Sequence, residues 1–468
     1  MSRYTHRVFT FCALAAAFCA CAVADQPKAP AVQTPAAYKE LGNWKPSEPG
    51  DQLSKGKWWE RFNDSELNRL EESLNISNQN IAAAVANVES ARAIVRQARS
   101  QYFPLVTTNP SFTRSRQPVG PNGLTANTYS ATVGASWEPD VFGRVRAQVQ
   151  AGRYGFQVSV ADLENVRLSA QAELANDYFL LRAQDNLQQI LNTTVTAYQE
   201  ALDVARARYT AGLDSDESVA QAETQLTTTH AQAANVGVLR AQYEHAIAVL
   251  IGQPASTFSL PAQVIALSPP AVPVGVPSDL LERRPDIAAE ERAVMQANAQ
   301  VGVARKAFFP SLLLTASGGF QSNSISDWFN WPDRVWSVGT SLAQTIFDGG
   351  SRRATVQQAQ AAYAITIADY RQSVLTAFQQ VEDNLAAARI LSDVIHEQDS
   401  AVESARRTLG EADVRYRSGV DPYLNVITAQ TAFLNAQEAA LTYRQQQITA
   451  SVQLIEALGG GWDVSQLH

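Results

Sequence analysis

The chain has 468 residues, 46% of them hydrophobic and 18% charged, so it is long enough for two or three ordinary domains and is not compositionally disordered. A formal charge of −8, with Lys and Arg scattered rather than clustered, excludes nucleic acid as a partner. Beyond the N-terminus no stretch of about eighteen consecutive apolar residues occurs, which excludes a transmembrane helix and leaves a barrel as the way to span a bilayer.

Residues 1–20 place Arg3, His6 and Arg7 before a short apolar run from Val8 to Ala20, the plan of a secretory signal peptide. Cys12 and Cys19 fall inside it. Cys21 follows small Ala20 in Phe18-Cys19-Ala20-Cys21-Ala22 and resembles the acylated cysteine of a bacterial lipobox; the alternative is an ordinary cleavage site near Ala24. Acylation of Cys21 leaves the mature chain without a free thiol or disulfide, so packing alone must stabilise it. Several acyl chains anchor firmly where one does not, and residues 21–56 then read as a tether from membrane lipid to the folded body.

From residue 57 the chain is written twice, as 57–253 and 278–462, with a proline-rich link over 254–277 and a tail at 463–468. Phe103-Pro104 recurs as Phe309-Pro310, and Val141-Phe142-Gly143 as Ile346-Phe347-Asp348-Gly349. Arg208-Tyr209 with Gly212-Leu213-Asp214 recurs as Arg415-Tyr416 with Gly419-Val420-Asp421, and Ile251-Gly252 as Leu458-Gly459. Four landmarks in one order, each pair about 206 residues apart, mark an internal duplication.

Each copy alternates two periodicities. Proline is absent from 140–253 and from 333–421, where Ala, Gln and charged residues dominate, so long helices are expected. Leu163, Val166, Ala170, Leu174, Tyr178 and Leu181 step by three or four, as do Tyr370, Val374, Ala377, Val381 and Leu385. Such a narrow stripe suits helix-on-helix packing with two wet faces. An unbroken helix from about 141 to 209 would be roughly 100 Å long.

Between helices the period is two. Tyr129, Ala131, Val133, Ala135 and Trp137 alternate with small polar residues, as do Leu312, Leu314, Ala316 and Phe320, and again Trp336, Val338 and Leu342. That is the apolar-out, polar-in signature of a barrel wall. A partner strand near 105–116 alternates poorly and rests on its place in the repeat. Trp137, Trp328, Trp331 and Trp336 near the strand ends are candidates for an interfacial girdle. Two hairpins give four strands where small bacterial barrels need at least about eight, so several chains must share one barrel.

In each copy Gly212 or Gly419 permits the positive-φ turn of a helical hairpin. Around these turns Arg208, Asp214, Asp216, Arg415, Arg417 and Asp421 either pair or stand as solvated charges. His6, His230, His245, His396 and His468 lack metal-ligand spacing, and no nucleophile elbow, phosphate loop or zinc signature occurs. Gly459-Gly460-Gly461 follows no strand and reads as a helix terminator, so neither an enzyme nor a cofactor or metal site is expected.

Taken in order, these segments resemble the TolC-like outer-membrane factor family, and within it the OprM-like lipoprotein branch of resistance-nodulation-division efflux systems. The resemblance covers nearly the whole mature chain. It rests on Trp58-Trp59-Glu60-Arg61-Phe62, Tyr102-Phe103-Pro104, Leu280 to Ile287, Phe308-Phe309-Pro310, Ile346 to Gly350, Tyr416 to Tyr423 and Ala457 to Trp462. It implies a fold that is mainly α with a membrane β-barrel portion: a TolC-like helical barrel plus four strands per protomer, shared by a homotrimer in one 12-stranded barrel. It also implies an outer-membrane, lipid-anchored location extending into the periplasm, and a passive exit duct for drugs and other small toxic molecules.

The implied partners are a periplasmic adaptor (membrane fusion) protein and an inner-membrane resistance-nodulation-division transporter. By the same resemblance Gly212, Leu213, Gly419 and Val420 form the tips that meet the adaptor, and Leu424 narrows the pore. One turn on, Thr428 stands where the pattern has an acidic ring, which puts a cation-binding constriction in doubt. The first copy has Glu217 and Gln221 at the matching positions, so the hydrophobic closure is expected in the second tip. A duct for secreted proteins and a periplasmic adaptor lipoprotein are the alternatives; the duplicated strands argue against the latter.

Overall fold

The computed structural model describes residues 34–35, 37–41, 57–117, 124–270, 272 and 280–466. The expected signal peptide, Cys21 and most of the tether lie outside these residues, as do parts of the link and the end of the tail.

Two halves follow one order. In the first, α1 (Ser65–Ser77) and α2 (Gln79–Ser100) lead to β1 (Leu105–Gln117) and β2 (Leu124–Trp137), then to α3 (Arg144–Thr210) and α4 (Asp216–Leu250). In the second, a single helical turn at Leu280–Arg283 leads to α5 (Pro285–Lys306), β3 (Ser311–Ser322), β4 (Arg334–Ala343), α6 (Ser351–Arg417) and α7 (Tyr423–Ala457). Helices α2 and α5 have 22 residues each, α3 and α6 have 67, and α4 and α7 have 35. At 67 residues α3 is about 100 Å long, as its unbroken periodicity predicted.

The corner from strand to long helix explains the recurring Phe-Gly landmarks. Asp140 caps α3 by accepting from the Val145 and Arg146 amides at 2.9 and 2.8 Å, with Gly143 at φ +74°. Asp348 does the same for α6, accepting from the Gly350 and Arg352 amides, with Gly350 at φ +94°. Carboxylate acceptors at a helix start satisfy amides that have no intrahelical partner.

Short helices stack end to end beside each long one. Asn78 caps α2 through the Asn80 and Ile81 amides and also donates to the Leu250 carbonyl at 2.8 Å, so the end of α4 sits on the α1–α2 corner. In the second half Arg284 takes that place, donating to the Ala457 carbonyl at 3.1 Å while forking onto Asp286. Gly459, Gly460 and Gly461 all have positive φ, and a Cβ on Gly459 would run into the Arg283 carbonyl.

The core sits at the waist of this bundle. Trp58, Trp59, Leu67, Leu70 and Leu74 pack with Leu174, Tyr178 and Leu181 of α3, and the α6 stripe of Tyr370, Val374, Ala377, Val381 and Leu385 joins them. Leu163 and Val166, read as part of the α3 stripe, are only half-buried against this core. Arg182 is 1% exposed and bonds Asp185, which also receives Arg240 at 2.7 Å and the Gln263 amide at 3.0 Å. That network, with Asn186 paired both ways to Ile265, straps the described part of the proline-rich link along α3. On α6, Glu382 accepts the Lys39 and Glu40 amides and Arg389 holds the Glu40 carboxylate.

The four strands form one antiparallel sheet in the order β1-β2-β3-β4. Directly paired residues share a face, so the registers sort the side chains. One face carries Val106, Phe112, Tyr129, Val133, Leu314, Phe320, Trp336 and Val338; the other carries Thr107, Ser111, Thr132, Ser130, Thr315, Ser317, Ser341 and Ser337. The poorly alternating 105–116 segment is strand β1, with Thr108, Arg114 and Arg116 as the polar exceptions on its apolar face. Of the four tryptophans expected at strand ends, Trp137 closes β2, Trp331 forms the turn before β4 and Trp336 lies inside β4. Trp328 packs on Tyr129 with ring centroids 5.7 Å apart. Among the described residues no helix is long and apolar enough to cross a membrane.

Candidate functional site

The two helical hairpins end side by side, farthest from the sheet. Both turn through the same motif: the Leu213 amide donates to the Arg208 carbonyl and the Val420 amide to the Arg415 carbonyl, each at 2.9 Å, over Gly212 and Gly419 at φ +70° and +74°. This glycine cap leaves Leu213 and Val420 exposed at the extreme tips.

Behind the turns a small cluster of Tyr198, Leu202, Ala205, Ala222, Leu226, Tyr416, Tyr423 and Val426 joins the hairpins. Tyr416 is 1% exposed whereas its counterpart Tyr209 is 47% exposed, so the tips are not equivalent. The Tyr416 hydroxyl donates to Asp214 Oδ2 at 2.7 Å, and its ring lies 4.9 Å under the Arg208 guanidinium and 5.1 Å from Tyr423. Asp214 also accepts from the Ser218 hydroxyl at 2.7 Å and the Ser215 amide at 2.8 Å, with Arg208 Nε 3.7 Å away. Arg208 in turn donates to the Arg417 carbonyl at 3.1 Å.

Burial alone would raise the Asp214 carboxyl, but the bonds from Tyr416, Ser218 and Ser215, with Arg208, hold it below its ordinary value. Burial and the Asp214 charge raise Tyr416, which therefore stays a donor. Burial, with Tyr198 and Asp413 nearby, pushes Tyr423 up to about 12.

The remaining charges are arranged more loosely. Arg415 forks onto Asp421 at 2.6 and 3.1 Å in solvent, and that bond holds Asp421 low. Arg417 pairs with Asp413 on its own helix and not with a turn aspartate. Asp216 stands exposed in the first turn of α4. Leu424 is 56% exposed in the first turn of α7, and the Thr428 hydroxyl donates back to the Leu424 carbonyl at 2.9 Å. In the first tip Gln221 bonds Glu217 at the matching positions.

The sequence pointed to the turn glycines and the charges but missed Tyr416 as the bridge between tips, with Tyr198, Tyr423 and Ser218 behind it. Duplication hid it, because Tyr209 and Tyr416 look alike in the repeat. Among the described residues no group of His, Cys, Asp and Glu could hold a metal ion.

Comparison with known proteins gives the fold a context. The model of a family described as outer membrane efflux protein matches residues 70–253 and again 276–460. The chain is similar to the solvent efflux pump outer membrane protein SrpC of Pseudomonas putida, at 34% identity over 412 residues, 87% of this chain and 88% of that one. It is also similar to the pyoverdine export outer membrane protein OpmQ of Pseudomonas aeruginosa, at 32% over 420 residues, 86% and 87% of the two chains. In structure it is similar to the open state of the MtrE outer membrane channel of Neisseria gonorrhoeae, with a TM-score of 0.83, 28% identity, and 95% of this chain and 99% of that one covered. The fold is the TolC-like one expected from the sequence.

Proposed function

The chain belongs to the outer membrane efflux protein family, whose members are channels and not enzymes, and on that premise we propose that it is the passive exit duct of a tripartite pump, built by three copies of itself. The observation that carries the duct reading is the four-stranded sheet with one apolar and one polar face, continued by helices about 100 Å long. An apolar face suits lipid and a polar face suits a water-filled lumen. Both sheet edges are open, and in a bilayer their unpaired backbone groups have no water to bond. Three copies with four strands each close a barrel of about twelve.

The duct holds no energy source, so direction comes from an inner-membrane resistance-nodulation-division transporter, joined to the duct by a periplasmic adaptor that meets Gly212-Leu213 and Gly419-Val420. Acylation at Cys21 anchors the chain to the outer membrane. The cargo is small and varied, a reading supported by relatives named for solvent efflux and pyoverdine export. Deleting the gene and profiling susceptibility to antibiotics, dyes, solvents and metals tests it: hypersensitivity to several classes is expected, and an unchanged profile with loss of a secreted protein would overturn it.

At rest the tip is shut by a ring of Leu424 side chains, which exclude water, and by the Tyr416–Asp214 bond; adaptor binding favours the dilated state. Leu424→Ala should raise the conductance of reconstituted trimers severalfold without partners. Unchanged closed-state conductance removes Leu424 from the gate.

A further inference from the structure

Within one chain the two halves are joined at a recognisable seam. Strand β2 pairs with β3, with Val133 opposite Gly318. Just beyond the strands Phe142 stacks on Phe309, with ring centroids 5.3 Å apart and planes 12° from parallel. Lys306 closes the seam by donating to the Gly143 carbonyl at 2.9 Å.

The outer flanks of the chain carry the counterparts of the strand and aromatic groups without a mate, while Ser100 stands at the place of Lys306. Val133-Gly134 and Phe142 in the first half correspond to Val338-Gly339 and Phe347 in the second, and Phe309-Pro310 corresponds to Phe103-Pro104. Phe347 follows β4 and is 88% exposed; Phe103 precedes β1 and is 71% exposed. Strands β4 and β1 are the two open edges of the sheet, and β4 exposes Trp336, Val338 and Leu342. An aromatic pair that meets inside the chain is thus presented again, split between its two ends.

We propose that neighbouring copies join as the two halves of one chain join: β4 pairs antiparallel with β1 of the next copy, Val338 lies opposite its Phe112, and Phe347 stacks on its Phe103. This rests on the trimer reading and adds its register. Carrying the β2–β3 pairing onto the flanks by these landmarks keeps the apolar face of the sheet continuous around the barrel, because Val338 and Phe112 both lie on it. Combined with the three registers inside the chain, this pairing tilts the strands by about 46° at a rise of ~3.3 Å and a spacing of ~4.8 Å, at the upper edge of closed barrels. The hairpin registers, Leu105 opposite Ser136 but Ser311 opposite Ala343, instead suggest a slip of two residues that sets Val338 opposite Arg114. That slip tilts the strands by about 54°, well outside the usual range of closed barrels.

Cysteine crosslinking separates the registers, since every native cysteine lies at or before position 21. The full chain carrying Val338→Cys with Phe112→Cys is oxidised in outer-membrane vesicles and run on a non-reducing gel beside Val338→Cys with Arg114→Cys. The Phe112 pair should give linked dimers and trimers about tenfold faster. Faster linking by the Arg114 pair, or no linking by either while native gels show trimers, overturns the inference and leaves the trimer standing. Monomers on native gels, with wild-type chain treated alike, overturn the trimer reading itself. For the aromatic half, Phe347→Ala should lower the temperature at which trimers dissociate in detergent, and Phe347→Trp should restore it; no shift with alanine removes that contact.

Discussion

The waist and the tip are crossed by the same long helices, yet they are built in opposite ways. At the waist α3 meets α1, α5 and α7 and buries Leu174, Tyr178 and Leu181 completely, and even its charges are sealed, with Arg182 and Asp185 bonded among themselves and to the link. At the tip the same helix offers the cluster three buried residues, Tyr198, Leu202 and Ala205, and few bonds join the hairpins: the Tyr416 hydroxyl to Asp214, the Arg208 guanidinium to the Arg417 carbonyl, and Gln225 to the Thr431 hydroxyl at 3.3 Å. A region with few buried apolar contacts and solvent-facing polar bonds opens at low cost, whereas a large sealed core opens only with the whole fold. The channel can therefore keep its waist fixed while its tip moves.

Substitutions at the two places should separate in kind as well as size. Trp58 is 1% exposed and packs edge-on to Trp59 and Phe62; Trp58→Ala should cost about 3–5 kcal/mol and lower the thermal midpoint of the assembled channel. A midpoint within a degree or two of wild type would break the view of the waist as the fixed part. Tyr416→Phe keeps the ring over Tyr423 and removes the bond to Asp214, which is worth about 1 kcal/mol. Closed-state leakage should rise roughly fivefold while the thermal midpoint holds. A matching loss of thermal stability would mean that tip and waist unfold together.

The waist was far more legible in the sequence than the tip, for a physical reason. Apolar burial along a long helix leaves a period, and Tyr370, Val374, Ala377, Val381 and Leu385 carry it in the sequence; each is buried. The alternation of β2 and β3 was equally plain, while β1 was obscured because Pro110, Thr108 and Arg114 interrupt its apolar face, and only its register with β2 identifies that face. Polar bridges leave no period. Nothing in Asn78 or Arg284 announces that each holds the end of a helix about 170 residues away, and nothing in Asp214 says that it meets Tyr416. The duplication revealed the architecture and concealed the bridge between the tips, because that bridge uses residues where two look-alike copies stop being alike.

Proton concentration gives a finer test of the same contrast. The Asp214 carboxyl is held below its ordinary value near 3.8, so its contribution to the closure proposed above should be intact above that value and lost as pH falls through the lower one. Between pH 7 and 5 leakage should stay flat, rising only below about 4, and Asp214→Asn should leak at every pH with no such rise. A rise centred near pH 6 in the wild type would assign the closure to another group.

The smallest effect should come from Arg417, whose ion pair with Asp413 stays on one helix and in solvent. Its carbonyl, not its side chain, receives Arg208, so Arg417→Ala removes a pair worth at most about 0.5 kcal/mol and keeps the bridge. Leakage and thermal midpoint should both match wild type, while Arg208→Ala, which removes the bridge and the contact with Asp214, should leak. If the two arginines behaved alike, general positive charge at the tip would be the active feature, and the specific bridge between hairpins would lose its role.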